Sequence, residues 1–165
     1  MKNKNINMLM VSFLLLGILS IVLMVFLSDA QEKFEEDITV SANGVTEKIL
    51  SVRELKLVPT DSKKYTVNLL CRASGGYGIS LDFIEKADGG MKPFVNVSVK
   101  CDGLTVYKGK LSDLLDSAKV IEFDGELKAD EPLKITVAYE MPGEVGNEAQ
   151  GSYADFDIRL KIEKN

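Results

Sequence analysis

Apolar residues follow three rhythms along this chain, and each predicts a different element. Residues 8–27 (MLMVSFLLLGILSIVLMVFL) run without a charge, with Ser12 and Ser20 as their only hydroxyls. From residue 36 onward the rhythm is a two-residue alternation, the mark of strands with one buried face. Residues 111–118 (LSDLLDSA) are the exception in that body. Leu111, Leu114 and Leu115 fall at i, i+3 and i+4, which predicts a short helix capping one end of the sheets.

The alternation can be followed strand by strand. Residues 37–42 (DITVSA) predict a short strand closed by the turn signal Asn43-Gly44. Residues 47–58 predict a longer one. Its apolar positions are Ile49, Leu50, Val52, Leu55 and Leu57, and their parity changes between Val52 and Leu55, which predicts a bulge. Residues 59–63 read as a turn. Tyr65, Val67, Leu69 and Cys71 share one face, then Ser74-Gly75-Gly76 breaks the run. Tyr77, Ile79, Leu81 and Phe83 share the next face, ended at residues 87–90. Val95, Val97, Val99 and Cys101 follow, and Asp102-Gly103 predicts a two-residue hairpin into residues 104–107. Residues 120–123 and 133–139 are further strands. Residues 141–151 (MPGEVGNEAQG) form a long loop before a final strand over 152–162, with Phe156, Ile158, Leu160 and Ile162 on one face.

Eight or nine strands with regular breaks predict an all-β fold. Most strands have one apolar and one polar face, as in antiparallel sheets wetted on one side. The expected architecture is a two-sheet antiparallel sandwich of jelly-roll type. An immunoglobulin-like sandwich is the rival, weakened by the absence of tryptophan.

The apolar N-terminal run supports two readings. In the first, Lys2 and Lys4 open a secretory signal, and Ser28 and Ala30 are the small residues at −3 and −1 of a cut before Gln31. In the second, the run is a membrane anchor, since about 20 apolar residues suffice to span a bilayer. A cleaved signal is the preferred reading. On either, residues 6–27 meet the membrane before cleavage, the lysines hold the N-terminus in the cytoplasm, and everything after residue 30 is outside. A buried core helix would not be apolar all round at the start of a chain. The expected organisation is a signal peptide or anchor over 1–30 and one domain over 31–165.

Composition removes whole classes of function. The chain has 165 residues, 20 basic and 25 acidic, for a net charge of -5. Polyphosphate is repelled, and Lys63-Lys64 is the only adjacent basic pair, so no nucleic-acid partner is expected. The absence of histidine excludes a Ser-His-Asp triad, a Cys-His dyad and an HExxH zinc site. Two cysteines are too few for a four-thiolate zinc site or an iron–sulfur cluster. No catalytic, cofactor or metal site is expected.

Two segments together resemble a known family. The leader exit Val25-Phe26-Leu27-Ser28-Asp29-Ala30-Gln31-Glu32 looks like an "A-[FY]-F-[ST]-D-T-x-E" ending, with Leu27 in place of an aromatic and Ala30 in place of threonine. The C-terminal residues Pro142, Gly146, Asn147, Gln150, Gly151, Phe156, Asp157 and Ile158 resemble a "P-x-x-x-G-N-x-x-Q-G-x-x-x-x-F-D-[IL]" close. Both belong to the Gram-positive exported proteins processed by a SipW-type signal peptidase, which include TasA and camelysin. The resemblance covers the two ends of the chain. It implies a jelly roll, secretion or surface retention, cleavage by signal peptidase, and a role in extracellular matrix or fibre assembly. Metalloprotease activity described for camelysin-like members does not carry over to a chain without histidine.

Several residues carry a sharper and a plainer reading. Cys71 and Cys101 both end strands on the core-facing parity. Export favours a disulfide if the strands are neighbours, and otherwise they are buried thiols. Gly146-Asn147 suits left-handed backbone, and the Gln150 side chain suits a hydrogen bond to a backbone edge, so the loop motif is read as structural. Asp82, Glu85 and Asp88, and separately Asp155 and Asp157, form acidic clusters without calcium-loop spacing and are read as solvated faces. Asn96-Val97-Ser98 is a glycosylation sequon, and the bacterial origin that the resemblance implies makes it a chance one. Tyr77, Tyr107 and Tyr153 are read as core or rim residues before a sugar platform. Residues 31–40 are acidic, then strand-like. Freed at Gln31, such a strand either pairs with its own domain or completes a neighbour's sheet and builds a fibre.

Overall fold

A computed structural model describes residues 33–41, 44–117 and 119–165, with side chains from Glu35 onward. The expected signal or anchor, residues 6–27, and its cleavage region, Ser28, Ala30 and Gln31, lie outside the described residues. Nine strands are described: β1 (Lys33–Val40), β2 (Val45–Leu55), β3 (Ser62–Cys71), β4 (Gly75–Asp88), β5 (Asn96–Cys101), β6 (Leu104–Lys110), β7 (Ile121–Leu127), β8 (Leu133–Glu140) and β9 (Ala154–Lys164). Among the described residues there are also one helix, α1 (Leu111–Leu115), and a 3-10 turn over Asn147–Ala149.

The strands form two sheets, ordered β1-β3-β8-β5-β6 and β2-β9-β4-β7. The chain crosses between sheets at almost every connection, and β5–β6 is the one consecutive pair that hydrogen-bonds. The sandwich is therefore all-β, as the alternation predicts. It is antiparallel except at one edge, where β1 runs parallel to β3 from Lys33↔Lys64 to Val40↔Cys71. This departs from the fully antiparallel expectation for a simple reason. The chain leaves β1 for the other sheet in β2, then returns to β3 in the original direction. For the same reason the Asn43-Gly44 signal does not close a hairpin.

Inward-facing alternation builds the core. Val67 and Leu69 of β3, Ile79, Leu81 and Phe83 of β4, Val97 and Val99 of β5, Ile135, Val137 and Tyr139 of β8, and Phe156, Ile158, Leu160 and Ile162 of β9 are all buried. The two sheets meet at aromatic contacts. Tyr139 lies edge-on to Phe156 at 5.6 Å and to Tyr65 at 5.7 Å. These are geometries that the ring quadrupole favours. Burial holds the Tyr139 hydroxyl protonated, its pKa pushed well above that of a free phenol.

Local features follow their sequence signals. The register of β2 against β9 shifts between Val52 and Leu55, so both side chains enter the core. Glu54, inside this bulge, takes a left-handed φ of 45° and donates its N–H to the Asp155 carboxylate. Asp102 and Gly103 have φ of 44° and 82°, the double left-handed geometry of a type I′ hairpin between β5 and β6. α1 is shorter than the eight residues its pattern offers, and Leu111 and Leu114 are the side chains it buries. Its first turn is held by N–H bonds from Leu111 to the Val95 carbonyl (2.9 Å) and from Ser112 to the Lys92 carbonyl (3.2 Å). Residues Lys33–Asn165 together make one compact unit.

Candidate assembly edge

β1 is the outermost strand of its sheet, and its side chains explain why it docks there. On its inner face Ile38 and Val40 are buried in the core. Each fully buried aliphatic side chain contributes about 1.5–3 kcal/mol. On its outer face Glu35 and Asp37 both accept hydrogen bonds from the side-chain amide of Asn68 on β3, at 3.0 and 2.8 Å. Glu36 shares the inner parity of Ile38 and Val40. A carboxylate there needs a counter-ion, and Lys48 of β2 supplies one at 2.8 Å. Beside this ion pair lies an apolar cleft of about 250 Å³, lined by Leu50, Val52, Tyr65, Val67 and Ile158 among others. β1 is thus held by two core side chains and a set of half-exposed polar contacts, on the open flank of the sandwich.

Cys71 and Cys101 are free thiols on β3 and β5. The pairing considered from parity fails because β8 lies between those strands. Two strand spacings, about 10 Å, exceed the roughly 7 Å that a disulfide spans between Cα atoms. Instead the Cys71 sulfur lies 3.2 Å from the Tyr77 hydroxyl, and this hydrogen bond, helped by burial, raises the Tyr77 pKa. Burial, then the nearby Asp102 charge, raises that of the Cys101 thiol.

Each acidic cluster includes carboxylates paired with cations. Lys92 reaches Asp116 and Glu85 at 2.7 Å and Asp88 at 3.3 Å. Those hydrogen bonds push its pKa above the ordinary lysine range, the Asp116 bond foremost. Asp157 accepts from the Ser51 hydroxyl at 2.8 Å and pairs with Lys86 and Arg53 at 3.2 and 3.3 Å. The Ser51 bond, then the two cations, holds its carboxyl below the usual range. Among the described residues no group of three His, Cys, Asp or Glu side chains is placed to hold a metal ion.

The C-terminal loop makes contacts other than those expected of it. Gly146 has an extended backbone (φ -83°) and Asn147 begins the 3-10 turn, while Gly151 is the left-handed residue at φ 74°. Pro142 accepts from the Val145 N–H, and Asn147 accepts from the backbone N–H of Gln150. The Gln150 side chain is exposed. Buried Met141 and Ala149 anchor the loop instead, and the Ala149 carbonyl accepts from both the N–H and the hydroxyl of Ser152. Motif reading finds the conserved-looking polar residues. It misses these anchors, whose signal is only an apolar residue inside a polar loop.

The three tyrosines weighed for a sugar platform pack in separate places. Tyr77 is buried, Tyr107 folds over Gly109, and Tyr153 covers Gly89.

No family model and no curated protein matches the chain. Solved structures that resemble it are distant. The periplasmic g-type lysozyme inhibitor PliG of Aeromonas hydrophila is 12% identical over 79% of this chain and 99% of its own, with a TM-score of 0.36. The sugar-binding C-terminal domain of EclA is 19% identical over 75% of this chain and 81% of its own, at 0.34. The C-terminal CBM6 of LamC, from Zobellia galactanivorans, is 12% identical over 72% and 100%, at 0.34. Likenesses this remote do not bear on what the chain binds.

Proposed function

We propose that this chain is an exported protein without enzymatic activity that builds or decorates extracellular matrix or cell-surface fibres, and that β1 is the strand it exchanges between copies. The carrying observation is the position of β1. It begins the folded unit directly after the leader, it pairs on one side only, and it is parallel to β3. A strand so placed can leave its own sheet and complete that of a second copy with the same side chains and register, giving a head-to-tail assembly.

The fold is read as a jelly roll. Its sheets β2-β9-β4-β7 and β3-β8-β5-β6 make the two four-stranded layers, with β1 appended beside β3. The TasA- and camelysin-like motifs at both ends support the same reading, with signal peptidase cutting after Ala30. Neither needs a cofactor. Electron microscopy and size-exclusion chromatography of protein recovered from culture medium test the assembly. Fibres or a ladder of oligomers are expected, and a strict monomer under every condition contradicts self-assembly.

A second reading rests on the length of the apolar run over residues 8–27, which suffices for a retained anchor. The chain is then a membrane-held ectodomain that binds a glycan or protein partner. The intact mass separates the two: a start at Gln31 supports the secreted matrix protein, and an uncut N-terminus in the membrane fraction supports the ectodomain.

A further inference from the structure

We propose that the outer face of the five-stranded sheet is a binding groove for an acidic polysaccharide, a chain bearing carboxylates along a hydroxylated backbone. The face holds a groove of about 690 Å³. Strand register explains its shape. Lys64 of β3, Ala138 of β8, Ser98 of β5 and Lys108 of β6 lie in one row across four strands. The adjacent row runs Thr66, Thr136, Lys100, Thr105. Short side chains therefore alternate with lysines across the face, with Lys64 and Lys108 at its two sides and Lys100 and Lys134 on the central strands. Lys64 and Lys108 stand three strand spacings apart, about 14 Å.

The charge of this face opposes that of the molecule. The chain carries -5 overall, yet the groove is lined by Lys64, Lys100, Lys108 and Lys134 against the single carboxylate of Glu140. All four lysines are exposed, and none has an ion-pair partner among the described residues. Lys48, Lys56, Lys86, Lys92, Lys128 and Lys161 each hold a carboxylate. The cations on this face are thus left available to an external anion. Between them, the hydroxyls of Ser98, Thr105 and Thr136 and the amide of Asn96 offer donors and acceptors matched to sugar hydroxyls. Among the described residues no aromatic side chain lines the groove, so these residues offer no stacking platform of the kind with which proteins hold single-stranded nucleic acid. This site lies on β3, β8, β5 and β6 and does not depend on whether the chain forms fibres.

The test is titration of the purified protein with polygalacturonate, dextran and single-stranded DNA in low salt. Binding to polygalacturonate and not to dextran is expected, weakening at least about tenfold between 50 and 300 mM salt as exposed charges are screened. The pair Lys64→Glu and Lys108→Glu should weaken it by about tenfold or more, and the milder pair Lys64→Ala and Lys108→Ala should weaken it in the same direction, both with the melting temperature of the parent. Lys128→Glu, outside the groove, should leave it unchanged. Equal binding of dextran, tighter binding of DNA, no binding of polygalacturonate, or full binding by well-folded groove variants would each overturn the proposal.

Discussion

Glu36 and Lys48 form an ion pair 2.8 Å long that ties β1 of one sheet to β2 of the other. It crosses the open flank of the sandwich, and both side chains stay partly exposed, at 47% for Lys48 and 26% for Glu36. Such a pair adds little to global stability, about 0–1 kcal/mol. Its effect is local, since it restrains an edge strand that places Ile38 and Val40 in the core. Lys48→Ala should therefore change the unfolding free energy by less than about 1 kcal/mol while speeding hydrogen exchange across β1. Unchanged protection in β1 would show that the pair does not restrain it.

Ile38 anchors the far half of the same strand in the core. Ile38→Ala should cost about 2–4 kcal/mol in denaturant unfolding, the usual loss for a buried isoleucine. A loss below about 1 kcal/mol would mean that β1 is not packed on its own domain in solution.

Asp157 gives a pH signature. Its carboxyl is held below the usual range in the folded protein, mainly by the Ser51 hydrogen bond and then by Lys86 and Arg53. A depressed folded pKa contributes stability that is complete above the unfolded value of about 3.9 and is lost as pH falls through the folded value. Asp157→Asn should thus melt earlier than the parent at pH 6 to 7, and the gap should close on acidification below about pH 4. A gap that is the same at pH 7 and at pH 2 would assign the loss to packing.

The cysteines predict a chemical result. With β8 between their strands, Cys71 and Cys101 should remain thiols even after export, and intact mass should not change on reduction. Cys71 is buried and Cys101 half-buried with its pKa raised, so alkylation at neutral pH should be slow in the native protein and complete for both on unfolding. A mass gain of about 2 Da on reduction would contradict this strand order.

The limits of the sequence are physical. Alternation placed the inner faces of β3, β4, β5, β8 and β9 because each has a dry and a wet side. The parity change at Val52 and Leu55 located the bulge, and Asp102-Gly103 located the hairpin. Strand order was out of reach, because identical inward-facing valines and isoleucines pack equally well beside several neighbours. The disulfide question turned on that order. β1 is hard to read from sequence, since Glu35, Glu36 and Asp37 hide a strand whose polar residues meet partners on distant segments, Asn68 and Lys48 among them. The basic groove was invisible for the same reason: its lysines come from four strands and meet only through register.

The most direct test of the account is to lock β1 in place. Asp37 and Asn68 face each other across the parallel pair of β1 and β3. Asp37→Cys with Asn68→Cys puts two thiols at neighbouring-strand distance, about 5 Å between Cα atoms, within disulfide range. Electron microscopy of the parent should show fibres. The oxidised double variant should stay monomeric, and reductant should restore assembly. Fibres from the oxidised variant, or none from the parent, would contradict β1 exchange.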